Sequence, residues 1–400
     1  MIEKQSPVKD KSPTMIYLHG WTRKGKIIPA LNRHFTVIDA NPRRPKGIFP
    51  VIAFKVLKKL FHSYSLLRKL RKGNQSLIVM VDAYKLEDLV IGIMAKFLHL
   101  PLFIRLRGGM WRELQDRWQF KPFPISQIRR GITQFYRDQI LLMADGIIPV
   151  SYFLRNQIIY HFNSNIDFGK IMPVYNAINF AAFDETPKGN FKKKLGMTED
   201  DKIILSVTSF NTYKKYTGIV HYLPAILRVL EENGDWYFVM AGTGWKFERK
   251  RKSILDMVPD NLKKRIIFTG YYKPIEEAFV DSEIVVHLSF RESMSNVVLE
   301  GQAAGKPTIC NDFGGSSEML QNWHSNPCCV VKEVSELYES LKVLVNSSEL
   351  RESIGRKNRQ AVEGKFTFES IGDDFYRCIN ILSIEGNKHA TALSKPKPKK

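Results

Sequence analysis

Acidic residues, cysteines and long apolar runs are all scarce in this 400-residue chain, and each shortage excludes something. Asp and Glu number 40 against 61 Lys and Arg, a formal net charge of +21. That imbalance implies regular contact with something anionic, such as nucleic acid, lipid headgroups or phosphorylated substrates. Four cysteines occur, at Cys310, Cys328, Cys329 and Cys378. They lack the spacing of a paired metal-ligand set, and adjacent cysteines make a strained bridge, so a reducing compartment is expected. No apolar run approaches the ~20 residues needed to span a bilayer, and the first residues lack the apolar core of a secretory signal. The expected location is cytoplasmic.

What is present suffices for packed cores. Hydrophobic residues make up 44% of the chain and aromatics 12%, and the length favours two domains over one. Short β-rich runs alternate with helix-length intervals: MIYLH at Met15, FTVID at Phe35, SLIVMVD at Ser76, LFIRL at Leu102, GIIPVS at Gly146 and KIMPVY at Lys170. A second series runs KIILSVT at Lys202, WYFVMAG at Trp236, RIIFTG at Arg265, EIVVHLS at Glu283, PTICN at Pro307 and CCVV at Cys328. Continuous apolar strands separated by helices indicate parallel sheets covered on both faces, hence two doubly wound α/β domains. The stretch from Asn176 to Asp201, rich in turn formers and charges, reads as a linker. Expected boundaries are a flexible N-terminus over 1–14, a first domain over 15–185, a second over 186–366, a C-terminal helix over 367–386 and a basic disordered tail over 387–400. Ligands of such sheets sit beyond the carboxyl ends of strands.

The richest segment begins at Phe290, FRESMSNVVLEGQAAGKPTICNDFGGSSEML. Arg291, Glu292 and Ser293 follow a strand. Asn296 to Ala304 reads as a helix, with Ser293 or Ser295 as N-cap. A helix opening at that edge offers unpaired N–H groups and partial positive charge, which suit a phosphate near Ser295 and Asn296. Glu300, just over one turn in, can face the same side as Glu292. Ionised carboxylates are acceptor-only groups and suit vicinal diols.

Two glutamates separated by seven residues, then Gly305-Lys306-Pro307 on a strand and Gly314-Gly315 with Glu318, resemble the signature of glycosyltransferase family 4. The resemblance implies a GT-B architecture of two facing Rossmann-like domains with an interdomain cleft. It implies retaining transfer from a nucleotide-diphosphate sugar as co-substrate, with no resident cofactor or metal. Glu292 would contact the transferred sugar and Glu300 the ribose. The family often has a lysine where this chain has Thr217, so Lys214 or Lys215 is expected to meet the diphosphate. Gly242 and Gly244 in AGTGW would allow close backbone approach to the donor.

On the acceptor side, LFIRL runs into RGGMWRE. Arg107 stands where many family members have a histidine, before Gly108 and Gly109; a guanidinium can orient oxygens there but cannot serve as a base. Arg105 lies with Arg107, Gly108 and Gly109 at the carboxyl edge of that strand; His19 and Asp82 follow or end other strands and are weaker candidates, and Asn176 is read as a turn residue. From Lys11 to Gly73 there are fifteen Lys and Arg against one acid, Asp39. Within this region VIAFKVLKKLFHSYSLLRKLRKG, from Val51, reads as a basic amphipathic helix, suited either to an anionic membrane surface or to core packing with a solvated basic face. The implied partners are a nucleotide-sugar donor, a glycan or lipid-linked acceptor and a peripheral membrane contact. A nucleic-acid-binding protein is the rival of another class, but no stacking aromatics interleave the basic run. A catalytically inactive scaffold of the same fold is the third reading.

Overall fold

The computed structural model describes residues 13–18, 27–39, 64–65, 67–69, 77–108, 124–163, 165–321 and 329–393, without side chains for 125–126 and 384–393. The chain divides into two compact units, one comprising Met1–Ala177 with Phe368–Lys400 and the other Ile178–Thr367.

In the first unit β1 (Thr14–Leu18), β2 (Thr36–Asp39), β3 (Leu77–Val81), β4 (Leu102–Leu106) and β5 (Gly146–Pro149) form a parallel sheet in the order β2-β1-β3-β4-β5. β3, β4 and β5 are buried along their whole length, as unbroken apolar runs require. Helix α1 (Leu86–Phe97) follows β3 and α2 (Ile125–Met143) follows β4. The expected strand at Lys170 shrinks to a single bridge between Ile171 and Ile147. Met172 and Val174 donate to Ile147 and Pro149 at 3.0 Å each, but Pro149, on β5, has no N–H to return to the Met172 carbonyl, so the ladder stops there.

In the second unit β6 (Lys202–Val207), β7 (Trp236–Ala241), β8 (Ile266–Gly270), β9 (Ile284–His287), β10 (Thr308–Asn311) and β11 (Val330–Val331) are ordered β11-β10-β9-β6-β7-β8, all parallel. Helix α3 (Tyr213–Glu232) follows β6 and α4 (Asn296–Ala303) follows β9. Most of the stretch read as a linker is packed onto this unit. Phe183 and Phe191 are buried, and the Asp281 carboxylate accepts from the backbone N–H groups of Gly189, Phe191 and Lys192 at 2.6, 2.7 and 3.2 Å.

The terminal helix α5 (Phe368–Leu393) belongs to the first unit. A Cβ on Gly372 would lie 2.3 Å from the Ala30 carbonyl oxygen, so only glycine permits that approach. Phe375 of this helix lies against Arg105, whose guanidinium carbon is 4.9 Å from the ring centroid. Arg105 is fully buried and donates to the carbonyls of Val174 at 2.6 Å and Ile148 and Tyr175 at 3.3 Å, and to Asn176 Oδ1 at 3.0 Å. Burial lowers its pKa to about 10, and these acceptors are what make a buried cation tolerable. Arg105 is therefore a tie between β5 and the segment that leaves the first unit.

Candidate active site

In the second sheet the chain turns from one side to the other between β6 and β9, and the carboxyl ends of those two strands flank the topological switch point where ligands of open α/β sheets bind. The loops leaving them clasp each other. A Cβ on Gly218, in α3, would meet the Leu288 carbonyl oxygen at 2.6 Å, and the Phe290 N–H donates to the Lys214 carbonyl at 3.2 Å. This contact sets the first turn of α3 beside the loop after β9. Lys215 Nζ consequently reaches Glu292 Oε2 at 2.6 Å, with both side chains about four-fifths buried, at 21% and 18% exposure.

The loop holding Glu292 is fixed from three sides. The buried Asn311 side chain, on β10, accepts from Ser289 N at 2.8 Å and donates to Ser289 O at 3.0 Å, extending the sheet ladder by one side chain. Ser289 Oγ donates to Arg291 O at 2.8 Å. The Glu292 carbonyl accepts from Gly315 N at 3.0 Å, and a Cβ on Gly314, at φ +109°, would lie 2.0 Å from that same oxygen. The Gly-Gly pair is thus a seat for the Glu292 backbone. Ser295, not Ser293, caps α4, accepting from Val298 N at 3.4 Å.

Behind Glu292 stands His287, the last residue of β9, only 3% exposed, with Nε2 3.5 Å from Glu292 Oε2. Burial lowers its pKa more than Glu292 raises it, while the charges of Lys215 and Glu300 also reach the ring. For Glu292, burial pushes the pKa up, but Lys215 and His287 together outweigh it and hold the carboxyl at about 2. Glu292 is accordingly ionised at neutral pH and accepts hydrogen bonds; it has no proton to give. Glu300 is buried one turn into α4.

Gly242 and Gly244 do something local. A Cβ on Gly242, at φ +143°, would meet Thr208 O at 1.8 Å, and one on Gly244 would meet Asn211 N at 2.4 Å. Their bare backbones let the loop after β7 press on the loop after β6, and Trp245 N donates to Asn211 Oδ1 at 2.8 Å. Both glycines therefore support the stretch that launches Lys214 and Lys215. Thr217 turns its hydroxyl back to the Tyr213 carbonyl at 3.2 Å.

The first sheet has its own switch point, between β1 and β3. Tyr17, on β1, donates to Asp82 Oδ1 at 2.8 Å, and Arg107, after β4, pairs with Asp82 Oδ2. Asp82 is fully buried and Arg107 is about one-quarter exposed. Burial opposes the charge on Arg107, but Asp82 and Tyr17 overcome it and raise its pKa. Ala83 takes a left-handed φ of +57° just after Asp82. Asp88 holds that turn by accepting from Tyr84 N and Lys85 N at 2.8 and 2.9 Å, while burial pushes its own pKa up to about 6. Gly108 follows Arg107 directly; His19, Gly109 and most of the basic helix read from Val51, including Lys55, Lys58 and Lys59, lie outside the described residues.

Sequence reasoning missed His287 and Asn311. A polar residue closing each of two otherwise apolar strand runs, VVH and TICN, was the available signal.

Residues 187–361 match the family model of the glycosyl transferases group 1. Lys215, His287, Glu292, Glu300 and Asn311 all fall inside that match. The chain is 27% identical over 245 residues to the N-acetyl-alpha-D-glucosaminyl L-malate synthase of Bacillus anthracis, covering 61% of this chain and 59% of that protein. Against a second relative, an uncharacterized glycosyltransferase of Methanocaldococcus jannaschii, it is 26% identical and covers 60% of that protein. The chain thus spans about three-fifths of the length of these curated relatives. Among solved structures, a glycosyltransferase from Rickettsia africae has a TM-score of 0.68 at 15% identity, over 94% of this chain and 99% of that one. Anabaena HepE in complex with UDP-glucose has a TM-score of 0.68 at 13% identity, over 92% and 99%. The fold is GT-B.

Proposed function

We propose that the chain is a retaining glycosyltransferase of family 4, moving a hexose from a nucleotide-diphosphate sugar to a glycan or lipid-linked acceptor in cell-surface polysaccharide, glycolipid or glycoprotein glycan biosynthesis. The observation that carries the reading is the Lys215–Glu292 pair at the switch point of the second sheet. A donor brings two opposite demands to one place: hydroxyls that need acceptors, and a diphosphate that needs cations as it departs. Glu292, held ionised, meets the sugar hydroxyls and the positive charge that grows at the anomeric carbon. Lys215, with Lys214 beside it and the first turn of α4 at Ser295 and Asn296, meets the diphosphate. Glu300 takes the ribose hydroxyls.

In front-face transfer the bond from the anomeric carbon to the diphosphate oxygen breaks and the acceptor oxygen bonds to the same face. The acceptor proton passes to the departing oxygen, so no side-chain base is required. Arg107, permanently charged, orients acceptor oxygens at the edge of the first sheet. The nucleotide sugar is a co-substrate, and no metal is assigned a role. Action on a lipid-linked acceptor from the cytoplasmic membrane face completes the reading.

Thermal shift of the full chain against UDP-, GDP- and ADP-sugars, with UDP-glucose heading the panel, tests donor binding because a ligand of the folded state raises its melting temperature. Nucleotide release and the anomeric configuration of the product then test transfer. Glu300→Gln is expected to weaken donor affinity about tenfold, the scale of one charged hydrogen bond, with kcat nearly unchanged. No shift and no release with any donor overturns the reading, and an inverted product overturns the retaining assignment.

A further inference from the structure

The net charge is almost wholly on one unit. The first unit holds 35 Lys and Arg against 15 Asp and Glu, a net +20, and the second 26 against 25, a net +1. A donor shared between Glu292 and Lys215 does not need this asymmetry, because the donor constellation lies on the nearly neutral unit.

The basic unit also carries exposed apolar side chains on its described helices. Helices α1 and α2 follow successive parallel strands, so right-handed crossovers set them on the same face of the sheet. They touch: a Cβ on Gly92 would lie 3.4 Å from both Ile140 and Met143, and Tyr136 donates to the Tyr84 carbonyl at 3.2 Å. Each has a second apolar stripe turned away from the core. On α1, Leu86, Ile93 and Phe97 follow one another at helical spacing, with Phe97 73% exposed; on α2, Ile128, Ile132 and Phe135 do the same, with Phe135 64% exposed. An apolar residue in water singly needs no explanation, but six on adjacent helices do. Arg129 and Arg130 lie in the first turns of α2. Of the nearby acids, Asp88 is taken up by the turn before α1 and Asp138 pairs with His161 at 3.1 Å, while Glu87 faces the positive N-terminal end of α1.

Apolar stripes on a strongly cationic body suit a partner that is both anionic and apolar beneath its surface. We infer that the α1–α2 face of the first unit docks on an anionic lipid bilayer, with Phe97, Ile132 and Phe135 entering the boundary between headgroups and acyl chains. Cationic residues draw the unit to anionic headgroups, and the stripes supply the salt-resistant part of the binding. A nucleic acid fits the charge but leaves the six apolar residues unused. The inference deepens the reading of a lipid-linked acceptor, yet lipid binding and donor binding are measured separately.

The test is co-sedimentation of the full chain with sucrose-loaded vesicles of phosphatidylcholine alone or with one-third phosphatidylglycerol, at low and high salt. Binding is expected to the anionic vesicles and not to the neutral ones, weakened but not abolished by salt. Ile132→Glu with Phe135→Glu should reduce it about tenfold or more, since affinity scales with apolar area buried. The melting temperature and the donor-induced shift should stay as in the parent chain, because both positions are exposed. Phe97→Glu, on the other helix, should weaken binding independently. Absence of binding to anionic vesicles, or binding indifferent to these substitutions, overturns the proposal. So does light scattering that finds a dimer dissolved by Ile132→Glu with Phe135→Glu in a chain that ignores vesicles, or tight binding to homopolymeric RNA that outcompetes the vesicles. A chain that binds vesicles but shifts with no donor sinks the enzyme reading and leaves the docking face standing.

Discussion

At the switch point of the first sheet a fully buried carboxylate, Asp82, is shared between an arginine and a tyrosine; at that of the second, Glu292 is held by a lysine and faced by a histidine. Both chains of residues put an acid where open sheets bind ligands, but the acids are held in different ways. Asp82 has one oxygen on Tyr17 and the other on Arg107, whose planar fork and permanent charge leave little to exchange. Among the described residues, Glu292 Oε2 meets Lys215 and His287 at short range, and Lys215 is a single flexible point charge, which under the proposed function a diphosphate can claim. Under the proposed function, the first arrangement holds a site in shape, and the second trades partners as the donor arrives.

The sharpest way to break this comparison is to remove each acid. Glu292→Gln keeps shape and loses charge, and should cut kcat by roughly 10²–10³-fold, the usual scale for one preorganised electrostatic group, with a smaller change in KM. Steady-state kinetics decides it, and normal turnover would deny Glu292 its role. Asp82→Asn should instead act first on stability. It leaves Arg107 three-quarters buried without its counter-charge, and breaking such a pair costs about 3 kcal/mol. Urea denaturation should record that loss, and an unchanged midpoint would make the first cluster incidental.

Exchange of cations sharpens the contrast further. Lys215→Arg would give Glu292 the kind of partner that Asp82 has. Donor affinity should fall about tenfold, because a guanidinium forked onto a carboxylate is harder to draw away. Donor titration followed by fluorescence or calorimetry measures it. Equal or tighter binding would mean that exchange at Lys215 is not part of donor capture.

Much of this was legible in the chain, and what was hidden shares one physical cause. Unbroken apolar runs exposed the strands, and the spacing of Glu292, Glu300 and Gly314-Gly315 drew attention to the edge that lies at the switch point of the second sheet, because those are local patterns. The packing of Phe183 and Phe191 was masked by the charges around them, so a folded cap read as a linker. KIMPVY has the composition of a strand, but its composition does not reveal that the strand it faces ends in Pro149, which lacks the N–H to extend the ladder. Arg105 stands at the carboxyl edge in the sequence, and only its neighbours, 43 to 71 residues away, show it bound to backbone carbonyls and Asn176. Lys215 and Glu292 lie 77 positions apart, and nothing in either segment announces that a glycine at 218 lets the two loops close on each other.

His287 offers the finest test, because it separates holding Glu292 from charging it. Its pKa is depressed below the ordinary 6.5, burial outweighing the attraction of Glu292. Facing it are Glu292, Lys215 and Glu300, so a proton gained there would add a second cation to a carboxylate already served by Lys215. A group depressed in the folded state contributes stability above its unfolded pKa and loses it as pH falls toward the folded value. The parent chain should therefore lose stability as pH drops below about 6.5, while His287→Gln, which cannot titrate, should show a shallower slope over that range. At pH 7.5 the glutamine amide, which overlays the Nε2 position, keeps a donor for Glu292 and should change kcat by only about two- to threefold, whereas His287→Leu, with no donor, should lower it further. Urea denaturation from pH 5 to 7.5 reads the first effect and kinetics the second. Equal pH slopes in the parent chain and His287→Gln would assign the acid sensitivity to other groups, and equal kcat for the Gln and Leu variants would reduce His287 to packing.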